Sequence, residues 1–560
     1  MHMRGLATLV AALVVTVAGG DVFAIRRRAT SASAAAEALK VEPHDASFAP
    51  KVDRYPTIKA YNLSVPIDHF QHDSRYEPHA DGYFDLRYWL DTSNYKEGGP
   101  IIVLHGGEIT GQRSLSVLDH GIVSMLTKAT DSVGLVLEHR YYGTSFPTPN
   151  VTVENLRFLS TEQGLADIAY FATHVDLPGL ENYNLTAPDT PWIIYGGSYG
   201  GALAAFARKV YPDVIWGAIS SSGVLAAVDD FWQFYEAARH FAPGDCSPTQ
   251  QKLVQVIDAM LFSKDGRDSD AIKQLFGLDE LLDDEFAQFL SYEIGQLARV
   301  NWDPDRSSTT FADYCTTITS DTLLFQNTTY LLPEVERAIT LAGYHREVEV
   351  LSTRMLNWIG HVREEVSKAH GNTSLREAAS ARFYEGRTDL SADWYQIWTY
   401  QTCTEWGFFM TGEGTPEDQL PMVSRAYTYD YSSILCRKLF NITSPPNVQA
   451  INKFGGFNFS FPRVALIDGA QDPWRAASPH ALGLPGRVSN SSEPFILIDP
   501  AVHHWDKNGL KADKAKLGLP PNHVVEVQAM EVDILKAWLE EFDTTRRKKH
   551  KDRNLHLTWS

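Results

Sequence analysis

Trp192-Ile193-Ile194-Tyr195-Gly196-Gly197-Ser198-Tyr199-Gly200 is the stretch whose reading decides the fold. Its first four residues are apolar throughout, which suits a central strand covered on both faces. Helical spacing runs from about Gly200 to Val210. Between them, Gly196-x-Ser198-x-Gly200 has the form of a nucleophile elbow. A serine there sits on a sharp turn that projects its oxygen above a sheet. Glycines two residues to either side let strand and helix pack closely around it. The following helix N-terminus points its dipole toward developing negative charge. An ordinary glycine-rich turn carries the same letters, so the strand–turn–helix context is what supports a catalytic Ser198.

Outward from this turn, the same alternation continues. Ile101 to Leu104 is an apolar run ending in His105-Gly106-Gly107, and Val133 to Leu137 is a second, followed by Glu138-His139-Arg140. Thr161 to His174 has helical spacing, with Leu165, Ile168, Ala169 and Phe171 on one side. Val214 to Ser220 gives one more strand. Strands alternating with helices predict an α/β chain with a parallel, doubly wound sheet. Beyond Ala226 the character changes. Up to about Phe440 the text is helical, as in Pro248 to Phe262, Asp279 to Leu297 and Glu334 to Ile359, and all four cysteines fall there. Strand runs resume at Val464 to Ile467 and Phe495 to Ile498, and a last helix is expected from Val524 to Phe542. The expected division is a core in two parts, 55–225 and 441–545, a helical cap insertion at 226–440, and a basic tail at 546–560.

Length and composition agree with this. At 560 residues the chain exceeds one ordinary core, which calls for two units or one core with a large insertion. Hydrophobic residues at 44% and charged residues at 21% describe a folded globular protein. Lys plus Arg total 50 against 69 Asp plus Glu, and a net charge of −19 repels phosphate backbones, so no nucleic-acid partner is expected. No CxxC pair, metal-ligand cluster, phosphate loop or dinucleotide fingerprint appears, so neither metal nor cofactor is expected.

The first residues read as a leader. Arg4, the apolar Leu6 to Val17 and the small-residue end Val22-Phe23-Ala24 predict a signal peptide over 1–24. Residues 25–54 then form a pro-segment or extension, with Arg26-Arg27-Arg28 as a processing site or a solvated basic run. No later stretch reaches about 18 uninterrupted apolar residues, so the mature chain has no stable membrane span. Asn-x-Ser/Thr acceptors stand at Asn62, Asn150, Asn184, Asn327, Asn372, Asn441, Asn458 and Asn490. Beside a leader, they favour a secreted glycoprotein, with lysosome or vacuole as the alternative destination.

A serine hydroxyl needs a histidine to take its proton and an acid to orient that histidine. In an α/β-hydrolase the chain order is Ser, acid, His. After one late strand stands Asp468-Gly469-Ala470-Gln471-Asp472-Pro473-Trp474, and after the next, Ala501-Val502-His503-His504-Trp505-Asp506. Asp468 and Asp472 both qualify as the acid, and His503 and His504 both qualify as the base. The oxyanion is expected to be held by the Tyr199 N–H, with a second donor from the Gly106-Gly107 loop.

These motifs together resemble the serine peptidases of lysosomal Pro-Xaa carboxypeptidase and dipeptidyl peptidase II. The residues that carry the resemblance are Gly-Gly-Ser198-Tyr-Gly-Gly, Glu138-His139-Arg140-Tyr141-Tyr142-Gly143, Asp472-Pro473-Trp474 and His503-His504-x-Asp506. Thr161-Glu162-Gln163-x-Leu165-Ala166-Asp167 and Gln401-Thr402-Cys403-Thr404-Glu405 add to them, across roughly residues 55 to 540. The resemblance implies an α/β-hydrolase core with a large inserted helical cap. It implies a Ser198, Asp472 and His503 triad, and cleavage of peptides or proteins next to proline, usually at acidic pH. Where the animal enzymes carry Gly-Asn-Glu-Gly, this chain has Gly106-Gly107-Glu108-Ile109. Glu108 keeps the acid; by resemblance to the dipeptidyl branch its role is pairing with a free N-terminal amine, with a loop-stabilising carboxylate as its alternative role. Trp474 is a candidate wall for a proline ring, with core packing as its alternative role. The animal enzymes have more cysteines; here Cys246–Cys315 and Cys403–Cys436 are expected, a pairing that closes the two shorter loops, and for Cys403–Cys436 the resemblance favours it. Two rivals remain, a secreted carboxylesterase or lipase with the same triad and a non-catalytic hydrolase-like binding protein. Self-association into a homodimer is left open.

Overall fold

The computed structural model describes residues 55–369, 375–386, 393–511 and 518–557. The leader, the Arg26-Arg27-Arg28 segment and Asn372 lie outside them. Eight strands form one sheet: β1 (Lys59–Pro66), β2 (Tyr83–Asp91), β3 (Ile101–His105), β4 (Val133–Leu137), β5 (Trp192–Gly197), β6 (Gly217–Ser221), β9 (Val464–Gly469) and β10 (Phe495–Ile498). The two remaining strands, β7 (Val228–Asp230) and β8 (Gly407–Phe409), pair with each other. The large sheet runs in the order β1-β2-β4-β3-β5-β6-β9-β10.

From β4 to β10 all pairings are parallel, and every residue of β3, β4, β5, β6 and β9 is buried. The pleat explains the apolar runs, because successive side chains enter opposite layers. Ile101, Val103, Trp192 and Ile194 pack with Leu165, Phe171, Leu203 and Phe206 of helices Thr161–His174 and Tyr199–Val210. Ile102, Leu104, Ile193 and Tyr195 pack on the other face with Ile122, Leu126, Leu535 and Trp538. Each fully buried aliphatic side chain contributes about 1.5–3 kcal/mol. This is the α/β-hydrolase arrangement that the sequence predicts.

Several details differ from expectation. β1 and β2 run antiparallel to each other, and β2 runs antiparallel to β4. β1 is exposed or half-buried at every position but Val65, and β2 alternates only over Tyr83 to Arg87 before running buried to Asp91, so both lack the continuous apolar runs that marked the central strands. Between β6 and β9 the chain is mostly helical but also holds the small β7–β8 ribbon. Glu334 to Ile359 is two helices, Leu332–Leu341 and Val348–Ala369, parted at Gly343 with φ of +90°. Asp279 to Leu297 is likewise divided at Ser291, whose hydroxyl bonds the Gln288 carbonyl at 2.7 Å. The last helix spans Asn522–Leu557 and takes in most of the basic tail.

Disulfides join Cys246 to Cys315 and Cys403 to Cys436, as expected. The first ties helix Cys246–Leu261 to helix Thr310–Thr319, and the second ties the turn Thr402–Trp406 to helix Ile434–Phe440. The inserted region is keyed to the core by its Gln-Thr-Cys-Thr-Glu segment. Gln401 donates to the Tyr199 hydroxyl at 2.7 Å and accepts from Tyr142 at 2.5 Å. Glu405 accepts from both the backbone N–H and the hydroxyl of Thr161, each at 2.9 Å.

Candidate active site

Ser198 stands between β5 and the helix that starts at Tyr199, with φ of 57° and ψ of −127°. Such a conformation costs a non-glycine residue about 1–3 kcal/mol and persists only where the surroundings impose it. Here the Ser198 N–H donates to the Ser221 carbonyl at 2.9 Å, and its own carbonyl accepts from Gly201 at 2.9 Å and Ala202 at 3.1 Å. A side chain at Gly196 would put its Cβ 1.9 Å from the Gly200 carbonyl oxygen, so the close strand–helix approach requires glycine at this position.

The loops after β9 and β10 bring Asp472 to His503. His503 Nδ1 donates to Asp472 Oδ2 at 2.7 Å, while Asp472 Oδ1 accepts the Trp474 N–H at 3.0 Å. Both side chains are buried. With Nδ1 carrying the hydrogen, Nε2 presents its lone pair, and among the described residues it has no hydrogen-bond partner. The paired alternatives separate cleanly. Asp468 is engaged by His480 Nδ1 at 2.6 Å and by the Ser478 hydroxyl at 3.0 Å. His504 turns into the left-handed region, φ 36°, and its backbone N–H donates to Ser222 Oγ at 2.8 Å.

On the oxyanion side, the expectation needs one correction. The Gly106 N–H donates to the Leu137 carbonyl at 2.8 Å inside the sheet and is spent. Gly107, with φ of +68°, faces the elbow, since a Cβ on it would lie 3.6 Å from the Gly200 nitrogen. Its N–H makes only a long 3.2 Å bond to His105 Nδ1. Tyr199, the first helical residue, has no intrahelical acceptor for its N–H. Its side chain is locked: His139 Nδ1 donates to the Arg140 carbonyl at 2.9 Å, so Nε2 accepts the Tyr199 hydroxyl at 2.9 Å. Burial holds His139 down to about 4, which keeps it a neutral acceptor.

The other motif residues frame the site. Glu138 accepts from Arg87, Thr110, Gly111, Thr144 and Ser145, fastening the loops after β3 and β4. Arg140 is wholly buried and grips Asp167 with two nitrogens at 2.6 and 2.7 Å.

The two candidate substrate contacts fare differently. Trp474 has the packing role that its position allowed. It packs against Phe231, Phe234 and Phe408, with its ring centroid 6.4 Å from that of His503. It also lines a cavity shared with Trp398, Phe408, Met410 and Tyr427. Glu108 is buried, with Oε2 lacking a partner among the described residues. Burial raises its pKa, against the pull of Lys507 and His503.

Beneath the His503 loop lies an acidic pair whose members stand 25 positions apart, with no motif to link them. Asp506 accepts from Tyr195 and Ser221, each at 2.7 Å. Glu531, from the last helix, is fully buried with neither oxygen hydrogen-bonded among the described residues. Burial, reinforced by Asp506, pushes Glu531 well above its usual 4.5. An acid raised in this way costs nothing while protonated in both folded and unfolded states. Its cost grows as pH rises above the unfolded value. Relative to wild type, Glu531→Gln is therefore expected to gain thermal stability as pH rises above about 4.5. Parallel melting curves above that pH would show that Glu531 does not titrate as a buried acid.

Comparison with known proteins gives the family. The family model described as Serine carboxypeptidase S28 matches residues 66–518. A probable extracellular serine carboxypeptidase of Arthroderma benhamiae is 42% identical over 511 residues, 90% of this chain and 71% of that one. Serine protease vicPa of Bipolaris victoriae is 27% identical over 76% of this chain and 81% of its own. The thymus-specific serine protease of Mus musculus is 28% identical over 79% and 81%. These findings bear out the resemblance read from the motifs. Among the described residues no helix is long and apolar enough to cross a membrane. The chain is a serine-type peptidase and belongs to the serine carboxypeptidase S28 family.

Proposed function

We propose that this peptidase hydrolyses the bond on the carboxyl side of proline through an acyl-enzyme on Ser198. The observation that carries the reading is the buried Asp472–His503 pair, whose Nε2 has no hydrogen-bond partner among the described residues and whose neighbour Trp474 lines an aromatic cavity. Ser198 Oγ attacks the scissile carbonyl while His503 Nε2 takes its proton. The C–N bond then breaks as that proton passes to the leaving amine. Water repeats the sequence on the ester, and Asp472 orients the imidazole and stabilises its charged form throughout. The Tyr199 N–H and the weakly engaged Gly107 N–H receive the oxyanion, and loss of one such donor costs about 3 kcal/mol in the transition state. A proline ring, flat and apolar, fits the cavity walled by Trp474, Trp398 and Phe408.

Secretion belongs to the same proposal. It is supported by the leader-like first residues, and the seven Asn-x-Ser/Thr acceptors among the described residues are all exposed.

A peptide series that varies only the residue before the cleaved bond tests the substrate. Proline is expected to exceed alanine about tenfold or more in kcat/KM, with the maximum below neutral pH as the resemblance implies. Equal turnover of the two would remove the proline reading, and a maximum near pH 8 would remove the acidic one.

A further inference from the structure

The peptide plane that carries the Tyr199 N–H is turned by the ψ of Ser198, a residue in a costly conformation that its surroundings must impose from both sides. On the Ser198 side, the backbone bonds to Ser221, Gly201 and Ala202 do so. On the Tyr199 side, the N–H itself must stay free for the oxyanion, so the side chain has to be held instead. A run of oriented hydrogen bonds holds it. His139 Nε2 takes the Tyr199 hydroxyl proton, which leaves the phenol oxygen to accept. Gln401 Nε2, 202 positions away in the chain, donates to that oxygen at 2.7 Å. Gln401 Oε1 is turned the other way by the Tyr142 hydroxyl, which donates to it at 2.5 Å. Tyr142, His139, Tyr199 and Gln401 are all buried, so a bond lost here has no ready substitute.

Aromatic packing tightens the same grip. Trp398 and Trp406 meet the Tyr199 ring edge-on, each with its centroid 5.2 Å away. Trp398 and Gln401 belong to one helix of the inserted region, Trp394–Gln401, and lie on neighbouring turns of it. Trp398 also walls the aromatic cavity. One helix thus touches both the cavity and the residue that offers the oxyanion donor. We infer that Gln401 is a positioning residue for the oxyanion hole: through the Tyr199 side chain, the inserted region fixes the direction of the Tyr199 N–H and so sets the rate of the chemical step. An oxyanion donor works only where it is aimed in advance at the charge that develops, and a small misplacement is costly. The inference rests on the acyl-enzyme reading above and adds to it a residue outside the triad on which the transition state depends.

Gln401→Met keeps the length of the side chain and removes both of its bonds. It is expected to lower kcat about 10- to 100-fold while KM changes less than about threefold, a smaller loss than complete removal of an oxyanion donor. A peptide aldehyde supplies the second readout. Its carbonyl carbon bonds to Ser198 Oγ, the serine proton passes to His503, and the former carbonyl oxygen enters the oxyanion site. Affinity for the aldehyde is expected to fall by a similar factor, and affinity for the matching peptide alcohol, which Ser198 cannot attack, to stay. Tyr142→Phe leaves Gln401 in place but strips Oε1 of its partner; it is expected to act in the same direction by about threefold or more, and gives the readout if Gln401→Met fails to fold. A folded variant that melts earlier yet keeps kcat marks docking alone and overturns the inference. So does a loss carried by KM, or an unchanged aldehyde affinity. Fluorophosphonate labelling separates the two readings. A wild type unlabelled at Ser198 fails the acyl-enzyme proposal, whereas a labelled wild type beside a Gln401→Met of full kcat fails only this one.

Discussion

Ser198→Ala is expected to lower kcat against a proline peptide by about three orders of magnitude or more, with little change in thermal stability. The two effects separate for a physical reason. Ser198 is 3% exposed rather than set on an open surface loop, but its fold-holding contacts are backbone bonds to Ser221, Gly201 and Ala202, which alanine keeps. Alanine also adopts the φ of 57° at the same cost as serine. What disappears is the oxygen that forms the acyl-enzyme, and the oxyanion donors alone retain only residual catalysis. His503→Ala and Asp472→Ala are expected to resemble it, because the three groups act as a unit. His504→Ala is expected to be milder, and Asp468→Ala to act on stability through His480 and Ser478. The measurements are peptide turnover, labelling by a fluorophosphonate and thermal unfolding. Turnover of Ser198→Ala within about tenfold of wild type, or His504 outranking His503, would sink the assignment.

Asp167→Ala is expected to destabilise the fold by about 3–5 kcal/mol, a fall in Tm on the order of 10 °C. Arg140 lies under β1 and the helix Thr161–His174 with no exposed surface, and its charge is met by the two oxygens of Asp167. Its remaining donors go to the carbonyls of Ile67 and Phe158. Removing the carboxylate strands a guanidinium in a dry site and frees His69, whose Nε2 holds the same carboxylate at 2.8 Å. Burial raises the pKa of Asp167, but Arg140 and His69 outweigh it and hold the carboxyl below its usual 3.8. Its contribution is therefore present above the unfolded pKa and lost only as pH falls through the lower folded value. Replacing Arg140 and Asp167 together by Met and Leu is expected to recover much of the loss, since two apolar groups leave no stranded charge. Denaturant unfolding of single and double variants checks this. A single-variant loss under about 1 kcal/mol would show that Arg140 finds another partner or water.

The sequence by itself determined the central sheet, the elbow and the chain order of the catalytic groups. Strands covered on both faces must be apolar at every position, so β3, β4 and β5 are legible as runs. The elbow is legible because a serine flanked by glycines is a local backbone requirement. β1 and β2 were not, because β1 is an edge strand mostly open to water and β2 alternates over only its first few residues. The resemblance chose Asp472 and His503, but the residues alone left Asp468 and His504 open, and only the tertiary structure shows where each side chain goes. Asp468, at the end of β9, and Asp472, in the loop that follows, stand four positions apart, and the nearby His480 and the distant His503 sort them into two separate pairs. Glu138, Gln401 and Glu405 read as motif letters; their work of clamping loops and docking the inserted helices depends on partners up to 259 residues away. Lys507 carried no signal at all, since a lysine near a catalytic loop is ordinarily a solvated charge. Its place beside the elbow, against Gly197, is set by strands and loops that meet only when the sheet closes around them, and long-range packing of that kind leaves no periodic trace in the sequence.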